Sequence, residues 1–196
     1  MRRDYWPVTL RHDPITLRPL RGSDQHDWHE VRNRNATWLT PWDGTVPPGG
    51  DPRPSSYRAM VRTLNQRARA GTAMPFALEV DRRFAGQVTV SNIVWGSACF
   101  CSIGYWIDQR YAGRGLMPLA VALTIDHCLQ VIGLHRVEIA IRPENTNSLR
   151  VVEKLGLGEV GFAPRYLHID GAWRDHRIFA VTAEECPGGL LARLTS

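Results

Sequence analysis

The 196-residue chain has no run of eighteen or more apolar residues, so nothing in it reads as a membrane-spanning helix. Its opening, Met1-Arg2-Arg3-Asp4-Tyr5-Trp6-Pro7, lacks the apolar centre of a signal peptide, and a cytoplasmic location is expected. Cysteine is scarce. Cys99, Cys101, Cys128 and Cys186 show neither zinc spacing nor a disulfide framework, so reduced thiols in or near a core are expected, with Cys99 and Cys101 on one face of a strand-like run. Lysine and arginine outnumber the acids, 24 to 19, for a net charge of +5, yet no basic tract is present. Scattered charge favours acidic partners such as a phosphate-bearing cofactor, but it is not a nucleic-acid footprint, and no aromatic–basic motif for RNA appears. Nor is there a metal pattern. His26 and His29 are spaced three apart, no third ligand is expected nearby, and Glu30 cannot complete a zinc-protease signature.

What is present is an ordinary globular composition, 43% apolar and 22% charged, long enough for one well-filled domain. That domain is expected to span residues 1–185, with 186–196 a mobile tail after Pro187-Gly188-Gly189. Strands are expected at Ile15 to Leu20, Pro75 to Asp81, Phe84 to Val94, Cys99 to Ile107, His135 to Arg142, Val160 to Ile169 and Trp173 to Thr182. Helices are expected from Ser23 or Asp24 to Asn33, from Ser55 or Ser56 to Ala70, from Leu116 to Ile132 and from Asn145 to Leu155. Pro118 falls in a first helical turn, where its missing N–H costs little. The proline- and glycine-rich stretch from Asp43 to Pro54 is long for a connection, and such loops are usually functional or disordered. The order β-α-α-β-β-β-α-β-α-β-β, with its central β-α-β-α unit, predicts an α/β fold on a mixed sheet.

Arg110-Tyr111-Ala112-Gly113-Arg114-Gly115-Leu116 joins a strand to a helix. Two glycines permit a tight turn and close approach of a ligand to the backbone. The first N–H groups of the helix have no intrahelical partner and lie at the positive end of its dipole, which makes an anion site. Arg110 and Arg114 would add charge-assisted contacts. A Walker loop would need Gly-Lys-Ser/Thr, and a dinucleotide fingerprint would need glycine where Pro118 stands. Arg-x-x-Gly-x-Gly remains; its plain alternative is a turn that binds nothing.

Arg110 to Gly115 resembles the pyrophosphate-binding motif of the GNAT superfamily. Leu134-His135-Arg136-Val137-Glu138, the segment from Pro143 to Gly156, and Gly171-Ala172-Trp173-Arg174-Asp175-His176 look like its RimJ/RimL branch, the ribosomal-protein-alanine N-acetyltransferases. Thr40-Pro41-Trp42-Asp43 is a weaker match, and the likeness covers roughly residues 14 to 185. The resemblance implies a V-shaped sheet flanked by helices, with acetyl-CoA between two splayed parallel strands. It implies that Ser102 to Ile107 pairs with the pantetheine arm and that backbone groups at Tyr111, Ala112, Gly113, Arg114, Gly115 and Leu116 hold the pyrophosphate. Asn145 and Ser148 match residues that contact the cofactor arm.

The implied reaction is attack of a neutral primary amine on a thioester, which requires deprotonation of the amine, polarisation of the carbonyl and stabilisation of the leaving sulfur. Polarisation is assigned by the same analogy to a backbone N–H near Trp106 or Ile107. Glu138 is the candidate base, directly or through water, and its plain alternative is a solvated or ion-paired glutamate. Asp175 and His176 are the alternative pair. The tyrosine that many family members use as acid is replaced by Val152, so Ser148, one turn earlier, is the candidate partner of the leaving sulfur. Trp28, Trp38 and Trp42 belong to the segment that by resemblance walls the acceptor cleft, with Trp28 expected in the core and Pro47 to Pro54 as a candidate lid. The acceptor is expected to be a protein N-terminal α-amine. The alternatives are a small-molecule amine such as an antibiotic or polyamine, or a non-catalytic acyl-CoA-binding module. Homodimerisation is left open by the sequence.

Overall fold

The computed structural model describes residues 5–52 and 54–195; Met1 to Asp4 of the N-terminal reading, Arg53 of the loop and Ser196 lie outside the described residues. Eight strands form one sheet in the order β1-β2-β3-β4-β5-β6-β8-β7. They are β1 (Leu10–His12), β2 (Ile15–Pro19), β3 (Met74–Val80), β4 (Arg83–Val94), β5 (Phe100–Ile107), β6 (Arg136–Ile141), β7 (Gly158–Ile169) and β8 (Ala172–Thr182). The helices are α1 (Gln25–Arg34), α2 (Ala36–Leu39), α3 (Tyr57–Arg69), α4 (Leu116–Asp126), α5 (Thr146–Lys154) and α6 (Leu190–Thr195). Among the described residues no helix is long and apolar enough to cross a membrane.

Every neighbouring pair in the sheet is antiparallel except β5 and β6. That parallel ladder holds only Phe100 to Ser102 against Arg136 to Glu138. Beyond it β5 runs on to Ile107 and β6 to Ile141 without pairing, so the sheet opens into a V with Ser102 and Glu138 at its vertex. Each arm is held from outside, β5 by β4 and β6 by β8.

The alternation of β6 places Val137, Ile139 and Ile141 in the main core and leaves Arg136, Glu138 and Ala140 on the other face. The main core packs against α4, which is apolar around most of its circumference and accordingly buried along most of its length. A smaller core on the opposite face joins Leu20, Val31, Tyr57, Val61, Ala77 and Phe84, with Trp28 packed against it. Ser56 caps α3 by accepting the Ala59 N–H at 3.2 Å, one of the two serines expected there.

Several expectations need correction. The long helix is α only to Asp126 and continues as a π-helical segment, His127–Ile132, until Gly133 turns left-handed at φ 82°. Asp24 does not cap α1, because its carboxylate is taken by the Arg18 guanidinium at 2.8 and 2.9 Å and by the Arg21 N–H. Cys99 (φ 41°) precedes β5 and is half-buried, so it does not share a strand face with the buried Cys101. The short elements β1 and α2 carry too few residues for a periodic signal. The tail is not loose. Leu190 is 1% exposed in the main core, and the Leu190 and Leu191 N–H groups donate to the two Asp126 carboxylate oxygens at 2.6 and 2.9 Å. The Leu190 and Leu194 stripe covers α4, and Asp126 supplies acceptors to the first turn of α6.

Candidate functional site

The open side of the V forms a cleft of about 390 Å³. One wall is the turn from Tyr111 to Pro118, together with Tyr105 and Ile107 of β5 and Asn145, Asn147, Ser148, Arg150, Val151 and Lys154 around α5. The other wall is Trp38, Leu39, Trp42 and Asp43, backed by Trp106.

In the turn, Asp108 accepts the Arg110 N–H, the Tyr111 N–H donates to the Asp108 carbonyl and the Ala112 N–H to that of Gln109. Those three amides are therefore engaged in holding the turn. Gly113 (φ 76°) and Gly115 (φ 77°) are left-handed, and Gly115 caps α4. The first helical bond is that of the Leu119 N–H to the Gly115 carbonyl, and Pro118 has no N–H. The amides of this turn that remain without a partner are thus those of Gly113 to Met117, since Tyr111 and Ala112, the first two of the stretch from Tyr111 to Leu116, are engaged. The Arg110 side chain is exposed and does not line the cleft; the Arg114 guanidinium lies 5.7 Å from the Tyr111 ring centre and is also outside the lining. The cationic rim comes instead from Arg150 and Lys154 of α5, with Asn147 on the same helix. Their three- and four-residue spacing is legible in the sequence as one face. The donor set, bare amides beside two glycines with a cationic rim, suits a diphosphate on an extended arm.

Asn145 caps α5, its side-chain oxygen accepting the Ser148 N–H at 3.1 Å, and both residues line the cleft. Tyr105 was not foreseen. It reaches from β5 to donate its phenol hydrogen to the Ser148 carbonyl at 3.3 Å, and burial pushes its pKa well above the ordinary tyrosine value.

The tryptophan wall is built by long-range ties. Trp38 Nε1 donates to the Ile107 carbonyl at 3.1 Å on the β5 arm. Arg142, just beyond β6, donates to the Pro41 carbonyl at 2.8 Å and lies 5.2 Å from the Trp42 ring centre. Asp43 lines the cleft as a carboxylate paired with Arg32. Beyond it, Gly44 bridges to Ile169, the Thr45 N–H donates to the His168 carbonyl at 2.7 Å, and Gly171 N–H donates to Thr45 Oγ1. The residues just before the candidate lid are thus stitched to the β7–β8 hairpin. Trp28 packs against the smaller core, away from the cleft lining.

Two candidates lie apart from the cleft. Glu138 sits at the vertex, half-buried, accepting from Arg136 Nε at 2.7 Å. His176 is 3% exposed, its Nδ1 3.0 Å from the Arg174 carbonyl and its ring edge-on to Tyr166. Burial, reinforced by the Arg142 charge, holds its pKa below the usual histidine value. The expectation of no third ligand near His26 is also corrected: His26, Asp27 and Glu30 offer ligand atoms within 4.8 Å of one another. All three are exposed, His26 lies 3.3 Å from Asp27, and Glu30 is held by Arg34, which describes a solvated helix face.

Residues 15–158 match the family model described as an acetyltransferase (GNAT) domain. The [ribosomal protein uS5]-alanine N-acetyltransferase of Escherichia coli (strain K12) is 30% identical over 184 residues, covering 93% of this chain and 94% of that protein. Among solved structures, Mycobacterium smegmatis RimJ in complex with CoA-disulfide superposes with a TM-score of 0.90 at 37% identity, covering 97% of this chain and 95% of that one. The ribosomal-protein-S5-alanine acetyltransferase of Vibrio fischeri gives 0.79 at 27% identity, with 91% and 98% covered.

Proposed function

The chain belongs to the GNAT acetyltransferase family, and we propose that it moves the acetyl group of acetyl-CoA to the N-terminal α-amine of a ribosomal protein. The observation that carries this reading is the open V itself, with the glycine turn at one wall of its cleft and the tryptophan wall facing it. The names of the relatives supply the acceptor class.

Acetyl-CoA supplies an activated thioester. The amides of Gly113 to Met117 take its pyrophosphate, and Arg150 and Lys154 add cationic charge at the rim. The edge of β5 from Ile103 to Trp106 offers backbone groups to the extended arm, since no β6 ladder occupies them, whereas the Ile107 carbonyl is already taken by Trp38 Nε1. An α-amine has a pKa near 8, so a useful fraction is neutral at cellular pH. The cleft carboxylate, Asp43, is held by Arg32 and serves to orient the acceptor. Glu138, outside the lining and engaged by Arg136, removes the amine proton through water rather than directly. The Ser148 hydroxyl donates a hydrogen bond to the departing sulfur. Trp38 and Trp42 receive the acceptor, and the neutral His176 supports the hairpin behind them. A ribosomal-protein acceptor places the reaction in the cytoplasm. The scheme requires neither nucleic acid nor a second copy of the chain.

The test is an acceptor screen. Peptides carrying ribosomal-protein N-termini, that of uS5 included, are incubated with acetyl-CoA beside free amines, and products are read by mass spectrometry. Acetylation of peptide α-amines is expected. Turnover of small amines alone rejects the acceptor assignment, and CoA binding without turnover on either set rejects catalysis.

A further inference from the structure

Asp108, the residue that closes β5 and opens the cofactor turn, is 0% exposed. It accepts Arg34 Nη2 at 2.6 Å and Nε at 3.2 Å, Asn35 Nδ2 at 2.8 Å and the Arg110 N–H at 3.2 Å. Burial alone would push this carboxyl up, but the bonds from Arg34, Asn35 and the Arg110 amide outweigh it and hold the pKa below the usual aspartate value. Asn35 faces both ways. Its side-chain oxygen accepts the Gln109 N–H of the turn at 2.9 Å, while its backbone carbonyl accepts the Trp38 and Leu39 N–H groups at 3.0 and 2.9 Å and so starts α2. Trp38 then returns to β5 through the Ile107 carbonyl. Four consecutive residues of the β5 end, Ile107 to Arg110, are therefore tied to Arg34, Asn35 and Trp38, either directly or through Asp108.

We propose that Asp108 and Asn35 are positioning residues that join the cofactor turn to the acceptor wall, so that a diphosphate bound in the turn also steadies Trp38 to Asp43. Neither side chain lines the cleft, so each acts through the groups that it holds. The physical basis is that the two walls share a polar cluster whose buried members, Asp108 and Asn35, are satisfied only when both segments are in place, with Arg34 closing it from the solvent side. Displacing one segment leaves buried donors or a buried carboxylate without partners on the other. An anion that fixes the turn removes motions that break this cluster, and the wall inherits the restraint. Asn35 is the hinge point, since its side chain and its backbone serve different walls. The inference rests on the placement of the cofactor in the turn.

The test separates the two walls with a probe that reaches only one. Adenosine 3′-phosphate 5′-diphosphate, the head of coenzyme A without its arm, is added to the whole protein, and amide hydrogen exchange is followed at residues 36–43 and 109–117. In the wild type both segments are expected to slow. In Asp108→Asn, whose new amide group faces the Arg34 donors, binding of the head is expected to weaken at least about tenfold, and slowing at 36–43 is expected to be lost while some remains at 109–117. Asn35→Ala is expected to give the same split. Arg34→Met cuts the pair from its half-exposed side and serves if Asp108→Asn does not fold. Asp24→Asn is the control. It removes a charged pair with Arg18 of similar burial near the start of α1, so it lowers stability but leaves the transmission intact. Head binding that slows 109–117 alone in the wild type overturns the proposal, as does undiminished slowing of 36–43 in Asp108→Asn or Arg34→Met. Calorimetry with intact coenzyme A distinguishes the other failure: no binding at all refutes the cofactor assignment, whereas binding of coenzyme A but not of its head refutes the placement in this turn.

Discussion

Between residues 109 and 118, the turn at one side of the cleft is a single short stretch of chain, and most of what it offers a ligand is backbone: two left-handed glycines, the free amides of a helix start and a proline where an N–H would be idle. The opposite side, Trp38 to Thr45, is made from side chains and held by partners 69 to 126 residues away, at Ile107, Arg142, His168 and Gly171. The difference teaches that the invariant part of such a reaction, a diphosphate, can be met by local backbone geometry. An acceptor that differs from one enzyme to another is met by a surface assembled across the fold.

The comparison can be broken or sharpened by substitution on each side. The largest effect is expected from Gly113→Glu. It puts an L-residue at φ 76° and a carboxylate where phosphate must approach. At about 4 kcal/mol for like charges some 4 Å apart near a protein surface, coenzyme A affinity should fall roughly a thousandfold in calorimetry. Unchanged affinity in a folded variant would break the contrast. Trp42→Ala comes next. The acceptor KM is expected to rise about tenfold or more, as for loss of an aromatic anchor, while the KM for acetyl-CoA moves less than about twofold, so steady-state kinetics on the two substrates should separate the walls. Trp38→Phe keeps the ring and deletes only the bond to the Ile107 carbonyl. A loss of about 1 kcal/mol is expected, seen as a melting midpoint lower by about 2–4 °C.

The smallest effect is one of pH. His176 is buried on β8, its folded pKa held below the ordinary histidine value by that burial. A depressed folded pKa means that the stabilisation is complete above the unfolded value, about 6.5, and is lost as pH falls from there through the folded value. The midpoint should therefore drop between pH 7 and 5, and it should drop less in His176→Gln. His127, buried and likewise depressed, contributes with the same sign in both proteins.

Much of the near side was legible because its signals are local. Gly113, Gly115 and Pro118 announce the turn, and Asn145 announces the start of α5; the structure shows each as a backbone feature of neighbouring residues. Tyr105 escaped notice because the hydroxyl's partner, the Ser148 carbonyl, lies 43 residues away. Asp108 carries no signal of its role, since nothing in the sequence says that Arg34 and Asn35 will donate to it. Glu138 was placed on the right strand and face, but its engagement by Arg136 and its distance from the lining belong to the folded sheet. Pro187-Gly188-Gly189 reads as an ending, whereas the placement of Leu190 depends on apolar packing beside α4 and on Asp126.

The amino-acid sequence alone determined the alternation of strands and helices and the glycine turn that opens α4, because these follow from residue spacing and from the backbone freedom of glycine and proline, and its motifs carried the resemblance to the family. Only the tertiary structure decided where β5 and β6 part, which amides remain bare and how the acceptor wall is fastened. Those features come from hydrogen bonds and burial between segments far apart in the chain, and no local pattern encodes the partner of a buried polar group.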